Sequence, residues 1–530
     1  MIPHTAPQSV SDTAQAVPDI AQPVPEMAQP GSRTAQAVPG TTQPGAEFVV
    51  VANRLPVHLD SSGAGAPQWR RSPGGLVSAL EPILRARRGA WVGWAGNTRT
   101  APAPFDDEGL RLYPVPLDED EYRDYYEGFS NATLWPLFHD VVVPPVFDES
   151  WWLSYQQVNR RFAEHAAALA APGATVWIQD YQLMLVPALL RALRPDVRIG
   201  FFLHIPFPPP ELFLQLPWRG EIVDGLLGSD LVGFQLVGDA HNFLQLVRRL
   251  HRGETAHRPS SASAPGSVRL PDREVRVGAF PISIDAAGLE ALAHTEPVRE
   301  QAQQIRRQLG GRKIMLGVDR LDYTKGIDQR LRAFEELLAE GRVTAQDAVL
   351  VQIATPSRER VGHYQRQRAR IEAQVGRING TFGRVGRMPV HYLHTTVDRT
   401  QLVALFHAAD VMLVTPLRDG MNLVAKEFAA ARPDLGGVLV LSEFAGAAHE
   451  LGQALLVNPH HVSDLKNVMA AALDLDRAEG RRRMRELRRN VHERDVNHWA
   501  RSFLESLSGS AGASGAPGDA DAPERRAAVA

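Results

Sequence analysis

The residues best able to carry chemistry lie in segment 415–427, which follows the apolar run 411–414 through a polar turn into a predicted helix. The first N–H groups of a helix have no partner within it and carry partial positive charge, so they attract anions. The residues at this helix start are Met421, Asn422 and Leu423. Asp419 in the turn and Glu427, about two turns later, could bind hydroxyl groups. The segment suits a nucleotide sugar, although Asp-Gly turns also occur in ordinary strand-to-helix connections.

Two cations follow another predicted strand, at 313–318. Arg320 and Lys325 lie in the loop after it, where they could clamp a diphosphate, arginine through a fork of donors and lysine as a point charge. The alternative is a pair of surface salt bridges to the neighbouring Asp319 and Asp322.

Four further polar residues end predicted strands. Arg54 and Arg358 would converge on a phosphorylated acceptor if their strands belong to two domains that face each other. Asp180 and His204 end two successive strands, and charged or titrating groups at that edge are poorly explained by core packing. A single histidine at a strand end is more often structural, but two such strands favour a site.

Aromatic residues and paired glycines add to this set. The aromatic side chains that could stack on a sugar or simply pack are Trp91, Trp94, Tyr125, Tyr126 and Trp135. Segment 72–76 contains Gly74 and Gly75 just before a predicted helix, and glycine permits close approach of the backbone to a phosphate or sugar.

The elements that must position these residues are short runs rich in valine and isoleucine that alternate with helical patterns. The first series lies at 48–52, 175–178, 199–203, 231–234 and 275–280, and the second at 313–318, 348–353, 390–393, 411–414 and 438–441. This alternation is typical of parallel sheets covered by helices on both faces, and it predicts two doubly wound α/β domains. Ligands of such sheets bind at the carboxyl ends of the strands.

The composition of the ends and the pattern between them predict the domain limits. We expect disordered low-complexity tails at 1–45 and 508–530, a first domain at 46–285 and a second at 286–485. Residues 486–507 should form a helix that packs back on the first domain.

Charge and composition exclude several classes of protein. The net charge is −3, from 57 basic and 60 acidic residues, so an extended nucleic-acid surface is not expected. There are no cysteines, which excludes disulfides and thiolate metal sites. We find no signal peptide and no apolar run near the ~18 residues that cross a membrane, so we predict a cytoplasmic protein. The acidic run 118–120 lies in a charged loop, and we predict no metal site.

Seven motifs together resemble the trehalose-6-phosphate synthase family. In sequence order they are ANR at 52–54, PGG at 73–75, WVGW at 91–94, YEGFSNATLW at 126–135, FLHIPFP at 202–208, RLDY at 320–323 and RDGMNLVAKE at 418–427. The resemblance extends from about 48 to 503. It implies a GT-B fold, with two Rossmann-like domains facing across a cleft, and transfer of glucose from UDP- or GDP-glucose to glucose 6-phosphate with retention, without a cofactor or metal.

The resemblance also implies roles for individual residues. It places Arg320, Lys325, His204 and Asp419 in catalysis, and the same four in donor binding together with Gly75, Met421, Asn422, Leu423, Val424 and Glu427. It places Arg54, Tyr126, Trp135, Asp180 and Arg358 in acceptor binding. The donor base stays open among uracil, guanine and adenine, and a homo-oligomer, dimer or tetramer, is expected.

The sequence departs from the family pattern at two positions, and two alternative functions fit the same fold. Gln179 and Asp319 stand where members often have His and Glu, and because neither is among the implied contacts we expect no consequence. One alternative is a pseudo-glycosyltransferase that joins cyclitol units, which should lose parts of the glucose pocket. The other is a catalytically silent sugar-phosphate sensor, which should lose Arg320, Lys325 or Glu427.

Overall fold

The structure is a computed structural model that describes residues 45–60, 68–71, 89–98, 102–107, 109–251, 256–257 and 266–509, together with 77, 80, 81, 84, 85 and 87. Both predicted tails therefore lie outside the described residues, except for positions 45, 508 and 509.

The first sheet has ten strands in the order β10-β11-β12-β9-β8-β7-β1-β4-β6-β5. The strands of this part of the chain are β1 Ala46–Arg54, β2 Val57–Asp60, β3 Gln68–Arg71, β4 Ala90–Trp94, β5 Phe105–Asp107, β6 Leu110–Pro114, β7 Ala170–Gln179, β8 Arg198–Phe202, β9 Leu231–Phe234, β10 Ala256–His257, β11 Gly266–Arg269 and β12 Glu274–Ala279. The neighbours in the run β12-β9-β8-β7-β1-β4-β6 all pair in parallel, while β5, β10 and β11 add antiparallel pairs at the edges. Strands β2 and β3 form a separate hairpin.

The second sheet has six strands in the order β15-β14-β13-β16-β17-β18, all parallel. Its strands are β13 Lys313–Arg320, β14 Ala348–Thr355, β15 Val390–Leu393, β16 Val411–Val414, β17 Val438–Ser442 and β18 Leu455–Val457. The two doubly wound parallel sheets that the sequence predicted are confirmed. Below, each sheet with its helices is called the first or the second domain.

Helices cover both sheets. They are α1 Glu119–Glu121, α2 Trp135–Phe138, α3 Glu149–Leu169, α4 Val186–Leu193, α5 Pro210–Phe213, α6 Arg219–Leu227, α7 Val237–Leu250, α8 Ala286–Ala293, α9 Glu296–Gln308, α10 Ile327–Ala339, α11 Gly362–Phe382, α12 Arg399–Ala408, α13 Leu423–Ala430, α14 Val462–Leu473, α15 Arg477–Glu493 and α16 Val496–Ser508. A π-helical segment, Tyr122–Leu134, joins α1 to α2, and single 3₁₀ turns lie at Tyr181–Leu183, Tyr323–Lys325 and Gly446–His449.

The last helix, α16, packs against the first sheet although it follows the second in sequence. The ring of Phe503 stacks on Trp177 of β7 with centroids 4.6 Å apart. Glycines on the next two strands make room for it, because a Cβ at Gly200 or Gly233 would lie 2.8 or 2.7 Å from the Phe503 ring. The chain thus crosses between the two domains a second time near its end.

Candidate active site

The loop after β13 and the turn after β16 meet through an ion pair. Lys325 Nζ lies 2.5 Å from Asp419 Oδ2, and both side chains are largely buried. Burial raises the pKa of Asp419, but the Lys325 cation and its hydrogen bond outweigh this and hold the pKa below its ordinary value. The ionised Asp419 carboxylate and the buried Lys325 ammonium thus fix two opposite charges at this turn.

The helix after this turn begins later than the sequence predicted. Helix α13 starts at Leu423, and Asn422 precedes it with φ +70°. The side chain of Asn422 donates to Asp419 Oδ2 at 3.0 Å, and the backbone N–H of Met421 points to Asp419 Oδ1 at 3.4 Å. The unpaired donors of the helix start are therefore those from Leu423 onward, while Met421 and Asn422 organise the carboxylate.

Two neighbouring residues of α13 have different surroundings. Lys426 is buried, and its Nζ donates to Glu450 Oε2 at 2.6 Å and to the carbonyl of Ile282 at 2.7 Å. Glu427 is half-buried; burial raises its pKa, and Arg399 offsets this only in part. Lys426, to which the resemblance gives no role, anchors the helix through these two bonds. Glu427 does not take part in them.

His204 forms the first-domain wall opposite this turn. Its Nε2 lies 2.9 Å from Gln179 Oε1, and burial lowers the pKa of the imidazole to about 3, so the ring is neutral. Gly420 lies directly against it, since a Cβ at Gly420 would be 2.4 Å from the carbonyl oxygen of His204. Only glycine at 420 lets the two domains approach this closely.

Gln179 was discounted in the sequence, and the structure corrects this. Its side-chain oxygen is the hydrogen-bond partner that orients His204. Asp319, the other discounted position, pairs with the fully buried Arg330 at 2.8 Å, and Gln352 joins the same network. The proposed surface pairs of Asp319 and Asp322 with Arg320 and Lys325 are accordingly absent from the ion pairs of the described residues.

Asp180 sits at the turn after β7 in a strained conformation. Its φ is +76°, a region that residues other than glycine seldom adopt. Burial raises the pKa of its carboxyl to about 6, although the backbone N–H of His204 donates to it at 3.1 Å. This hydrogen bond thus links Asp180 and His204, the two strand-end residues that the sequence singled out.

Arg358 reaches from the second domain into the first. Its guanidinium carbon lies 3.9 Å from the ring centre of Trp135, and its Nη2 donates to the Tyr181 hydroxyl at 3.0 Å. Asp322 Oδ2 lies 3.3 Å from Nη1, and Tyr364 bonds the same nitrogen. The Nε of Arg358 is buried and has no hydrogen-bond partner among the described residues, which indicates that an acceptor belongs there.

Arg54 is placed by the two tryptophans of β4. Trp91 Nε1 donates to the carbonyl of Arg54 at 3.0 Å, and the Arg54 guanidinium lies 4.7 Å from the ring centre of Trp94. Gly93 between them carries no side chain, and a Cβ there would be 2.6 Å from the Arg54 backbone. Trp91 therefore packs, and Trp94 holds the arginine over the cleft.

Three arginines from the two domains act electrostatically on Tyr126. Burial raises the pKa of Tyr126, but Arg358, Arg54 and Arg320 outweigh it and hold the pKa below its ordinary value. Two of these cations also act on Asp322: burial raises its pKa, but Arg358 and Arg320 together with Lys325 lower it to about 2. Arg320 also lies 5.2 Å from the ring centre of Trp135.

The contacts above join Lys325, Asp419 and Asn422, join Asp180 to His204, and place Arg320 and Arg358 over Trp135. Val424 and Glu427 lie on α13 after this turn, and their predicted contacts with the donor stay predictions. Gly75 lies outside the described residues. The sequence missed Asp322, Tyr181, Tyr364 and His139. His139 stacks on Trp135 with centroids 4.1 Å apart, and burial lowers its pKa to about 4. Asp322 lies in the RLDY motif, but nothing in the sequence shows that the four residues meet.

Within the described residues, no three or more His, Asp or Glu side chains are grouped to hold a metal ion. No described helix is both long and apolar enough to span a membrane.

Comparison with known proteins places this cleft in context. Residues 46–509 match the model of glycosyltransferase family 20. A trehalose-6-phosphate synthase of Mycobacterium sp. (strain KMS) is 60% identical over 471 residues, which cover 88% of this chain and 96% of that protein.

Solved structures show the same architecture. An α,α-trehalose-phosphate synthase (UDP-forming) from Burkholderia xenovorans, in complex with glucose 6-phosphate, superposes with a TM-score of 0.78 at 36% identity, covering 87% of this chain and 100% of that one. A trehalose-6-phosphate synthase used to study glycosyl transfer with retention superposes with a TM-score of 0.78 at 36% identity, covering 88% of this chain and 99% of the other. The GT-B fold that the resemblance implied is confirmed.

Proposed function

The chain belongs to glycosyltransferase family 20, and on that premise we propose that it transfers glucose from UDP-glucose to glucose 6-phosphate, forming trehalose 6-phosphate with retention at the anomeric carbon. The observation that carries the proposal is the placement of Arg320 and Arg358 of the second domain over Trp135 of the first, 5.2 and 3.9 Å from its ring centre, together with the buried Lys325–Asp419 pair. The names of the relatives, including the UDP-forming synthase, support the same reaction.

The acceptor phosphate fits the arginine cluster. Arg54 and Arg358 come from different domains, and the unpartnered Nε of Arg358 offers a donor to a phosphate oxygen. Guanidinium groups bind phosphate through paired, charge-assisted hydrogen bonds. Trp135 and Tyr126 would then line the acceptor sugar, and Asp180 its hydroxyl groups.

The donor diphosphate fits the opposite end of the cleft. The hydrogen bond to Asp419 uses one of the three N–H donors of Lys325, so the ammonium can bind phosphate oxygens while it stays in place. Arg320 and the start of α13 at Leu423 and Val424 would add positive charge where the leaving group develops negative charge. Glu427, about one turn along the helix, would accept from the ribose hydroxyls.

The donor glucose would lie between His204 and Asp419. His204 is neutral, so it can hydrogen-bond a sugar hydroxyl without competing for the diphosphate as a cation. Because the nucleoside diphosphate is already a good leaving group, the reaction needs no carboxylate nucleophile of the kind used by retaining glycosidases. We assign no general base. We propose that the acceptor hydroxyl attacks the anomeric carbon on the face from which the diphosphate leaves, and that a leaving phosphate oxygen takes the proton of that hydroxyl.

The test offers folded protein UDP-, GDP- and ADP-glucose and a nucleotide cyclitol in turn, each with glucose 6-phosphate, and follows nucleotide release and the anomeric configuration of the product. We expect fastest turnover with UDP-glucose and an α,α-linked product. Turnover only with a nucleotide cyclitol would favour the pseudo-glycosyltransferase, and binding without any turnover would favour the silent sensor. A dimer or tetramer and a cytoplasmic location stay predictions.

A further inference from the structure

Arg418, the residue before Asp419, lies against the first domain between two carboxylates. Its Nε is 3.3 Å from Asp140 Oδ2, and its Nη2 is 3.9 Å from Asp239 Oδ1. The Arg418 side chain is 22% exposed, whereas that of Asp239 is 3% exposed. The turn that carries Asp419 is thus tied electrostatically to the opposite domain.

These contacts are incomplete. Arg418 Nε and Asp239 Oδ2 are both buried and have no hydrogen-bond partner within the described part of the chain. Burial raises the pKa of Asp239 to about 7, with Asp140 adding to the rise and Arg418 and two backbone N–H groups opposing it. Buried donors and acceptors left unpaired are costly. The distance of 3.9 Å between Arg418 Nη2 and Asp239 Oδ1 exceeds that of an ordinary hydrogen bond by about 1 Å, so a movement of that size would let the buried carboxylate accept from the guanidinium.

The segment that holds Asp140 also belongs to the acceptor wall. It begins at Trp135, whose ring stacks on His139, and the backbone then takes φ +54° at Asp140 and +55° at Val141. Positive φ at two successive residues other than glycine stores strain and is found where function requires it. Arg418 is therefore the point at which the donor turn touches the segment that carries the acceptor aromatic.

We propose that Arg418 is a positioning residue, which closes on Asp239 and Asp140 when both substrates are bound and thereby fixes Asp419 and Gly420 against His204. The proposal rests on the proposed function, because it assigns Arg418 a part in that reaction without contact with substrate. An arginine that merely joined the domains would instead hold the same geometry with and without ligands.

The test uses Arg418→Gln, Asp239→Asn and the double variant, with Arg360→Gln as the matched control. Arg360 also joins the domains, at 2.6 Å from Glu119, but lies on the exposed rim away from the donor turn. We expect Arg418→Gln to lower kcat about 10- to 100-fold with KM for both substrates within about threefold, since only the positioned state is lost. Arg418→Lys should recover part of kcat, and Arg360→Gln should stay within about twofold.

The double variant tests the coupling. We expect it to be no slower than Arg418→Gln alone, because the single change already removes the interaction. Wild-type kcat in Arg418→Gln, or losses that multiply fully in the double variant, would overturn the proposal.

A second readout does not depend on turnover. Hydrogen exchange in segments 139–142 and 418–424 should slow in the wild type when UDP and glucose 6-phosphate are both added, and should slow less in Arg418→Gln. If the wild type shows this protection but no turnover, the proposed function fails while the positioning role stands. Equal protection in both proteins would sink the positioning role alone.

Discussion

The two walls of the cleft balance their charges differently. On the acceptor side, the guanidinium groups of Arg54 and Arg358 lie 4.7 and 3.9 Å from the ring centres of Trp94 and Trp135, and Asp322 is the buried carboxylate that pairs with Arg358. On the donor side, Lys325 is paired with Asp419 at 2.5 Å, and Lys426 with Glu450 at 2.6 Å. The acceptor wall is therefore short of negative charge, which a phosphate would supply. On the donor wall, the two ion pairs already fix the positions of the charged side chains.

The largest effect should come from the donor wall. We predict that Lys325→Ala lowers kcat about 10³-fold, because it removes a cation from the leaving group and leaves Asp419 buried without its partner. Steady-state kinetics with saturating substrates would measure this. Lys313→Ala, at the opposite end of β13 and half exposed, is the control and should retain its activity. A loss confined to KM would contradict a role in the transition state.

The acceptor wall should respond in binding instead. Arg54→Ala should raise KM for glucose 6-phosphate about tenfold with little change in kcat, since two other guanidinium groups remain. The wild-type KM should also rise with salt, and less steeply in the variant, because screening weakens exposed charges. Arg198→Ala, on an exposed arginine at the far end of β8, serves as control. Unchanged acceptor kinetics would remove Arg54 from the pocket.

The pKa of Asp180 depends on how far the space between the two walls excludes water. Burial raises its folded pKa to about 6, so its carboxyl contributes stability below about pH 4 that is lost as the pH rises through about 6. Relative to wild type, Asp180→Asn should therefore gain about 1–2 kcal/mol in free energy of unfolding between pH 4 and pH 7. Urea denaturation of ligand-free protein at both pH values measures it. A constant difference would mean that Asp180 ionises as it does in water.

The smallest effect should come from Gln179. Gln179→Ala removes the hydrogen bond that orients His204, and should raise KM for the donor about threefold without changing KM for glucose 6-phosphate. Donor titrations at saturating glucose 6-phosphate would measure this. A much larger loss of kcat would show that Gln179 acts on the chemistry itself.

The sequence predicted strands well where apolar, β-branched runs are bounded by turns. The runs 231–234, 390–393 and 411–414 coincide with β9, β15 and β16. Strand β7 was predicted at 175–178 but extends over Ala170–Gln179, because its first half pairs Ala170 with Ala46 through a register shift that alanine and glycine do not signal. The π-helical segment Tyr122–Leu134 was not predicted, since its hydrogen-bond register leaves no local pattern in the residue types.

The same limit applies to the site. Arg330 lies on helix α10, and its side chain is 0% exposed and pairs with Asp319. Arginine on a helix usually lies in water, so only the packed structure shows a buried network there. Arg358 pairs with Asp322, 36 residues away, and Lys325 with Asp419, 94 residues away. No local sequence pattern can pair residues at these separations.

The sequence by itself determined the two parallel sheets, the family and the residues along the cleft, because apolar periodicity, strand-end polarity and motif spacing are local properties of the chain. The tertiary structure decided which charges meet. Lys325 with Asp419, Gln179 with His204, and Arg418 between Asp140 and Asp239 all join residues far apart in sequence. Pairing of buried charges depends on distance and desolvation, and both are set only when the domains pack.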